Sequence, residues 1–143
     1  MTNEIARKPS VLVMMATYNG EKYVAEQIDS ILAQEGVNVT LLISDDGSSD
    51  STPSICSRYA QDMPNVQFGV NEKNKGLARN FMDMLYCADA TSFDFFAFSD
   101  QDDYWMPNKL GKAIEAISSA GEGPRLYYSD VCNVDEHSPK WRV

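Results

Sequence analysis

A chain of 143 residues with 43% hydrophobic and 23% charged residues is long enough for one domain with a real core. Its formal net charge of −9 argues against non-specific binding to nucleic acid or to anionic lipid. A phosphorylated ligand would need a cation or local basic residues to offset the repulsion, and Lys73, Lys75 and Arg79 are the candidates. Cys56, Cys87 and Cys132, with His137 alone to join them, follow no zinc or disulfide spacing. No secretory apolar region and no stretch of membrane-spanning length is present, so the expected location is the cytoplasm.

After a polar lead-in ending at Pro9, the apolar run Val11 to Ala16 has the length of a strand. Between Glu21 and Gln34, Val24, Ile28, Ile31 and Leu32 recur at helical spacing, and Gly36 closes that helix. Val39 to Ser44 is a second strand, rich in β-branched residues, which runs into the turn Asp45-Asp46-Gly47-Ser48-Ser49-Asp50-Ser51. Pro53 suits the first turn of another helix. Val66 to Val70 predicts a third strand, and Leu77, Phe81, Met84 and Leu85 a helix. The run from Phe93 to Phe98 alternates too little for a half-exposed strand and predicts a central one, buried on both faces. Pro107 opens a helix carrying Leu110, Ala113, Ile114 and Ile117, which Gly121 to Pro124 stops, and Leu126 to Ser129 predicts a fifth strand ending at Asp130.

Strands and helices that alternate in this way imply an α/β fold: a Rossmann-like, mostly parallel sheet with right-handed crossovers and helices on both faces, in one domain over residues 1–143. Ligands bind such sheets beyond the carboxyl ends of the strands. Four polar clusters fall at that edge: Thr17-Tyr18-Asn19, Asp45-Asp46, Asp100 to Asp103, and Asp130.

Each cluster has a functional and a plain reading. Tyr18 can stack on a planar base, or Thr17 to Gly20 can be a glycine-assisted turn with a helix cap. Asp45 and Asp46 can accept hydrogen bonds from a nucleobase or ribose, or form an Asx turn, for which Asp46 ahead of Gly47 is well placed. Arg79, at the start of its helix, can face a diphosphate or simply be solvated. Trp105 and Phe98 read as core or as site walls. In extended backbone, period-two alternation puts Asp100 and Asp102 on one side, a hard oxygen pair suited to Mg²⁺ or Mn²⁺ carrying phosphate. A helix cap ahead of Pro107 explains one of these acids but not three in four residues.

Taken together, Ala16-Thr17-Tyr18-Asn19-Gly20, Ser44 to Thr52, Asn74-Lys75-Gly76-Leu77-Ala78-Arg79-Asn80 and Asp100-Gln101-Asp102-Asp103 resemble the family 2 glycosyltransferases, inverting nucleotide-sugar enzymes of the GT-A fold. The order of motifs matches from about Val11 to Asp130, and residues 100–110 look like bacterial polysaccharide-building members, including rhamnosyltransferases. The resemblance implies that Tyr18 and Asp46 hold base and ribose, with Ala16 or Thr17 contributing, and that Arg79 lies near the nucleotide. It makes Asp100 and Asp102 the Asp-x-Asp motif, Asp102 the direct ligand of Mg²⁺ or Mn²⁺, and Asp103 a neighbour of the sugar. The implied partners are a UDP- or dTDP-linked sugar and a saccharide or lipid-linked acceptor, with peripheral association at the inner face of the membrane and self-association as further expectations.

Family members are longer, and their acceptor half and catalytic base follow the region matched here. The chain is therefore expected to be the donor half, cut before the acceptor half, and nothing around Asp135 or Glu136 marks either as a base. A non-catalytic nucleotide-sugar-binding or partner fragment is the alternative. A Mg²⁺-binding receiver domain needs a phosphoacceptor Asp after the third strand and a Lys after the fifth, where this chain has Gly69-Val70-Asn71 and Ser129-Asp130. A phosphoaspartyl hydrolase carries its Asp-x-Asp on the first strand, whereas this one follows the fourth.

Overall fold

The structure of the chain, a computed structural model, describes residues 7–134, which divide into compact units over 7–111 and 112–134. Asp135, Glu136 and His137 lie outside the described residues. The elements alternate as β1 (Ser10–Thr17), α1 (Val24–Leu32), β2 (Asn38–Asp45), α2 (Thr52–Asp62), β3 (Val66–Val70), α3 (Leu77–Cys87), β4 (Phe95–Ser99) and α4 (Lys109–Ser119). The helix α4 begins in the first unit and continues in the second.

The sheet has the order β3-β2-β1-β4 and every ladder is parallel. In the register, Val13 lies between Leu41 and Ala97, and Met15 between Ile43 and Ser99. Flanked on both sides, β1 is the strand that is buried throughout, from Val11 to Thr17. The chain steps outward from β1 to β3, then returns across the sheet to place β4 on the other side of β1. That reversal makes the carboxyl ends of β1 and β4 a topological switch point, where the connecting loops part and leave a crevice.

Two layers of side chains follow from strand alternation. Leu12, Met14 and Ala16 pack with Met84 of α3, and Leu42, Phe81, Ala88 and Phe93 close around them. The alternate residues Val11, Val13 and Met15, with Leu41 and Ile43 in register beside them, are fully or almost fully buried and point to the opposite face. There α1 contributes Val24, Ile28 and Ile31, and Tyr59 of α2 donates to Asp29 Oδ1 of α1 (2.7 Å), locking these two helices together. Cys56 is buried in α2, and burial together with the Asp45 charge pushes its thiol up to about 12, which leaves it unreactive.

Two expectations are corrected. The run from Phe93 to Phe98 does not form a central strand: among the described residues β4 pairs with β1 alone, and Phe96 and Phe98 are 38% and 50% exposed. Apolarity does not distinguish an edge strand from a central one. Here edge-to-face pairs, Phe81 with Phe98 (5.3 Å between centroids) and Phe93 with Phe96 (6.1 Å), cover part of the rings instead of a second neighbouring strand. Leu126 to Ser129 likewise forms no strand, so Asp130 stands at no strand end. A strand exists only where a ladder partner satisfies its backbone, and β-propensity in Leu126-Tyr127-Tyr128 supplies none.

Because Met14 is fully buried at the centre of the sheet, Met14→Ala is expected to destabilise the chain by about 2–5 kcal/mol. Urea unfolding followed by circular dichroism measures it.

Candidate functional site

The site is built from three loops at the carboxyl ends of β1, β2 and β4, together with the entry to α3. The first two loops are laced to each other. Thr17 Oγ1 donates to Asp45 Oδ2 (2.8 Å), Asn19 N–H donates to Ser48 Oγ (2.8 Å), Gly20 N–H to Thr52 Oγ1 (2.8 Å), and Ser49 N–H to Asn19 Oδ1 (2.9 Å). Asn19 sits in the left-handed region at φ 47°, a conformation Asn tolerates better than most side chains.

The adjacent acids at the end of β2 divide their work. Asp45, fully buried, accepts from Thr17 Oγ1, Gly47 N–H (3.1 Å), Ser48 N–H (2.8 Å) and Ser48 Oγ (2.6 Å), so it is the Asx-turn residue. Asp46, which its place ahead of Gly47 suits to a turn, is not the turn residue. Asp46 instead faces the loop before α3: its Oδ1 accepts from Asn71 Nδ2 (3.0 Å) and Lys75 N–H (2.9 Å), and its Oδ2 from Gly76 N–H (2.8 Å). Burial works to raise the Asp46 pKa, but these hydrogen bonds and the Lys75 charge outweigh it and hold the carboxyl below its ordinary value.

Asn80 is the polar partner on α3. It is buried, accepts from Ser44 Oγ (2.6 Å) and Asn71 Nδ2 (3.0 Å), and donates to the Ser44 carbonyl (2.9 Å). The sequence signal for it is its place on the apolar stripe of the helix, three residues after Leu77 and four before Met84, where a polar side chain needs partners.

A polar row on α1 supports the acidic loop after β4. Gln27 Nε2 donates to Ser99 Oγ (2.6 Å), Ser30 Oγ accepts from Trp105 N–H (3.1 Å), and Gln34, just past the helix, donates to the Met106 carbonyl (2.7 Å) and accepts from Leu110 N–H (2.9 Å). All three side chains are buried, at spacings of three and four residues. The loop they hold presents Asp100, Asp102 and Asp103 outward, while Trp105 is buried.

These loops enclose a cavity of about 420 Å³ lined by Ala16 and Thr17 of β1 and Tyr18 just after it, Asp46 just after β2, Asn74, Gly76, Leu77 and Asn80 around the start of α3, and Asp100, Gln101 and Asp102. Of the residues singled out from sequence, Thr17, Tyr18, Asp46, Asp100 and Asp102 therefore meet in one place. The Thr17 hydroxyl is committed to Asp45, whereas Tyr18 is 50% exposed. Asp103 lies on a neighbouring cavity of about 440 Å³, with Ala78, Phe81, Met82, Phe98 and Ser99, and Asp100 borders both cavities. Protein around Asp103 displaces water from its carboxyl, and the charges of Asp100 and Asp102 add to this, raising its pKa against the opposing effect of Lys109.

Arg79 is not brought to either cavity. Its side chain is 73% exposed and its Nε donates to Asp83 one helical turn on (2.8 Å), while Lys75 Nζ donates to the other Asp83 oxygen (2.9 Å). Sequence reasoning missed Asn74, Asn80 and Gln101 as lining residues. Among the described residues no group of three acidic, Cys or His side chains converges as a ready-made metal cage. Two carboxylates on one cavity nonetheless fit Mg²⁺ or Mn²⁺, which take one or two protein oxygens and complete their shell with phosphate and water. No helix among the described residues is long and apolar enough to cross a membrane.

Residues 12–142 match the family described as Glycosyl transferase family 2. The dTDP-rhamnosyl transferase RfbG of Shigella flexneri is 38% identical over 105 residues, 72% of this chain and 36% of that protein. The putative glycosyltransferase EpsE of Bacillus subtilis is 36% identical over 107 residues (74% and 37%), and the succinoglycan biosynthesis protein ExoO of Rhizobium meliloti 32% identical over 136 (94% and 37%). The chain thus spans less than two-fifths of the length of these relatives. Among solved structures, the mannosyltransferase PcManGT from Pyrobaculum calidifontis, in complex with GDP-Man and Mn²⁺, superposes with a TM-score of 0.70 at 23% identity, over 80% of this chain and 34% of that one. S. aureus TarS 1-349 in complex with UDP-GlcNAc gives 0.65 at 25% identity, over 81% and 37%. The parallel sheet with helices on both faces is the fold they share with it.

Asp46→Asn turns an amide N–H₂ toward backbone donors, and is expected to cost about 2–3 kcal/mol of stability by urea unfolding. The sign of the pH dependence follows from the lowered pKa: the contribution is present above the ordinary aspartate value of 3.8 and is lost as pH falls through the lower folded value. Stability of the parent chain below pH 3.8 should therefore fall more steeply than that of Asp46→Asn.

Proposed function

The chain belongs to glycosyl transferase family 2, and on that premise we propose that its cavity binds a nucleoside-diphosphate sugar as the donor for transfer to a saccharide or lipid-linked acceptor. The observation that carries this reading is the convergence of Tyr18, Asp46, Asp100 and Asp102 on one cavity at the switch point of the sheet.

The exposed Tyr18 ring offers an apolar face for the base. Asp46, fixed by its bonds to Asn71, Lys75 and Gly76, accepts a further hydrogen bond from a base N–H or ribose hydroxyl. Asp100 and Asp102 hold Mg²⁺ or Mn²⁺, with Asp102 as the direct ligand. When bound, such a cation offsets the charge of the departing diphosphate. The protein around it carries a net charge of −9, so diphosphate binding without a cation is opposed by the whole field of the molecule.

Asp100 joins this cavity to the one lined by Phe81, Phe98 and Asp103. Sugars have apolar C–H faces and polar hydroxyl rims, and a wall of two phenylalanines beside a carboxylate suits both. We place the donor sugar there, with Asp103 on its hydroxyls. The name of ExoO supports a role in building a bacterial polysaccharide, that of RfbG a dTDP-linked donor, and the TarS complex with UDP-GlcNAc a UDP-linked one. A cytoplasmic site, peripheral to the inner face of the membrane where a lipid-linked acceptor is presented, is the corresponding location.

Calorimetry with dTDP, UDP and GDP, each with Mn²⁺ and with EDTA, tests the reading. Binding of dTDP or UDP in Mn²⁺, weakened at least about tenfold by EDTA or by Asp102→Ala (about 1.4 kcal/mol), is the expected result. No binding of any of the three with Mn²⁺ would sink it.

A further inference from the structure

We propose that Gln101, the residue between the two metal-binding acids, is a positioning residue that fixes the Tyr18 backbone at a set distance from Asp100 and Asp102. The inference rests on the donor-site reading for its consequence in binding, and on geometry alone for the clamp itself.

The ladder between β1 and β4 ends at the pair Met15 and Ser99, and beyond it the two chains are no longer held by backbone hydrogen bonds to each other. The Gln101 carboxamide takes over. Its Oε1 accepts from Tyr18 N–H (2.9 Å) and its Nε2 donates to the Tyr18 carbonyl (2.9 Å), a cyclic pair in which a side-chain amide stands in for a strand neighbour. A carboxamide offers a donor and an acceptor side by side in one planar group without charge. A carboxylate here would face the Tyr18 carbonyl with a second acceptor and add negative charge beside Asp100 and Asp102.

A second observation is that the amide occupies the space a side chain at residue 20 would need. A Cβ placed on Gly20 would stand 2.5 Å from Gln101 Cδ and 3.0 Å from Nε2, with Oε1 closer still. Gly20 is not in a left-handed conformation, so what a larger residue there would meet is the Gln101 amide, which it would displace. Behind it, Gly20 N–H donates to Thr52 Oγ1 and its carbonyl accepts from Tyr23 and Val24 N–H (3.0 and 2.9 Å), which holds that backbone in place.

Gln101 and Tyr18 both line the cavity that Asp46 borders, with Asp100 and Asp102 on either side of Gln101 in the chain. A ligand that reaches from the carboxylates to Tyr18 therefore spans a distance that this amide sets. A ligand confined to the carboxylates does not.

The test uses Gln101→Met, which keeps reach and loses both hydrogen bonds, and Gly20→Ala, which displaces the amide with Gln101 still present. Amide exchange by NMR should show Tyr18 N–H exchanging about tenfold faster or more in both variants. In Mn²⁺, the affinity for dTDP or UDP should fall about tenfold, whereas inorganic pyrophosphate should bind within about twofold of the parent chain. An equal loss for nucleotide and pyrophosphate, or no loss for either, overturns the positioning role. Unchanged Tyr18 exchange in both variants overturns the clamp itself. Failure of the parent chain to bind dTDP or UDP overturns the donor-site reading instead, and the exchange result still decides the clamp.

Discussion

The Asp45 carboxylate is the interaction on which the site edge of this fold depends. It is fully buried at the end of β2 and accepts four hydrogen bonds, from Thr17, from Gly47 and twice from Ser48. One side chain thereby fastens the end of β1 to the turn after β2. Ser48 Oγ extends the connection by accepting from Asn19 N–H, so the backbone beside Tyr18 is held from below. Hydrogen bonds to a carboxylate are stronger than those between neutral groups, and a buried acid of this kind is tolerable only when its lone pairs are filled.

Just past the end of the strand, Asp46 takes the opposite direction. Where Asp45 turns inward to fasten loops, Asp46 turns toward the entry to α3 and becomes part of the cavity wall. Two identical neighbours have different chemistry because they face opposite ways. Similar economy appears in α1, whose apolar face packs on the sheet while Gln27 and Ser30, with Gln34 just beyond, grip the loop that carries the acids. None of the described buried side-chain nitrogens or oxygens is left without a hydrogen bond, which is what a rigid frame for a binding site requires.

The aromatic run before the acids has a different role from the one its composition implied. At the edge of the sheet β4 leaves Phe96 and Phe98 half-exposed, and Phe98 with Phe81 walls the cavity that carries Asp103. Apolar residues there serve a surface next to the site as much as a core. Arg79 shows the converse case: a cation at the start of a helix, well placed in sequence to meet a phosphate, is drawn to Asp83 one turn away because that partner is always present on the same face.

The sequence by itself determined the alternation of strands and helices, the carboxyl edge as the place of the cavity, and Tyr18, Asp46, Asp100 and Asp102 as residues gathered there. Hydrophobic period, turn residues and the rule for open parallel sheets are local or general, so they can be read without coordinates. Only the tertiary structure decided that β1 rather than β4 is central, that Leu126 to Ser129 pairs with no strand among the described residues, and which of Asp45 and Asp46 serves the turn. It also brought Gln101 to Tyr18, 83 residues apart in the chain. Strand order, ladder partners and contacts of this range depend on where the crossovers return the chain, and no window of sequence contains that information.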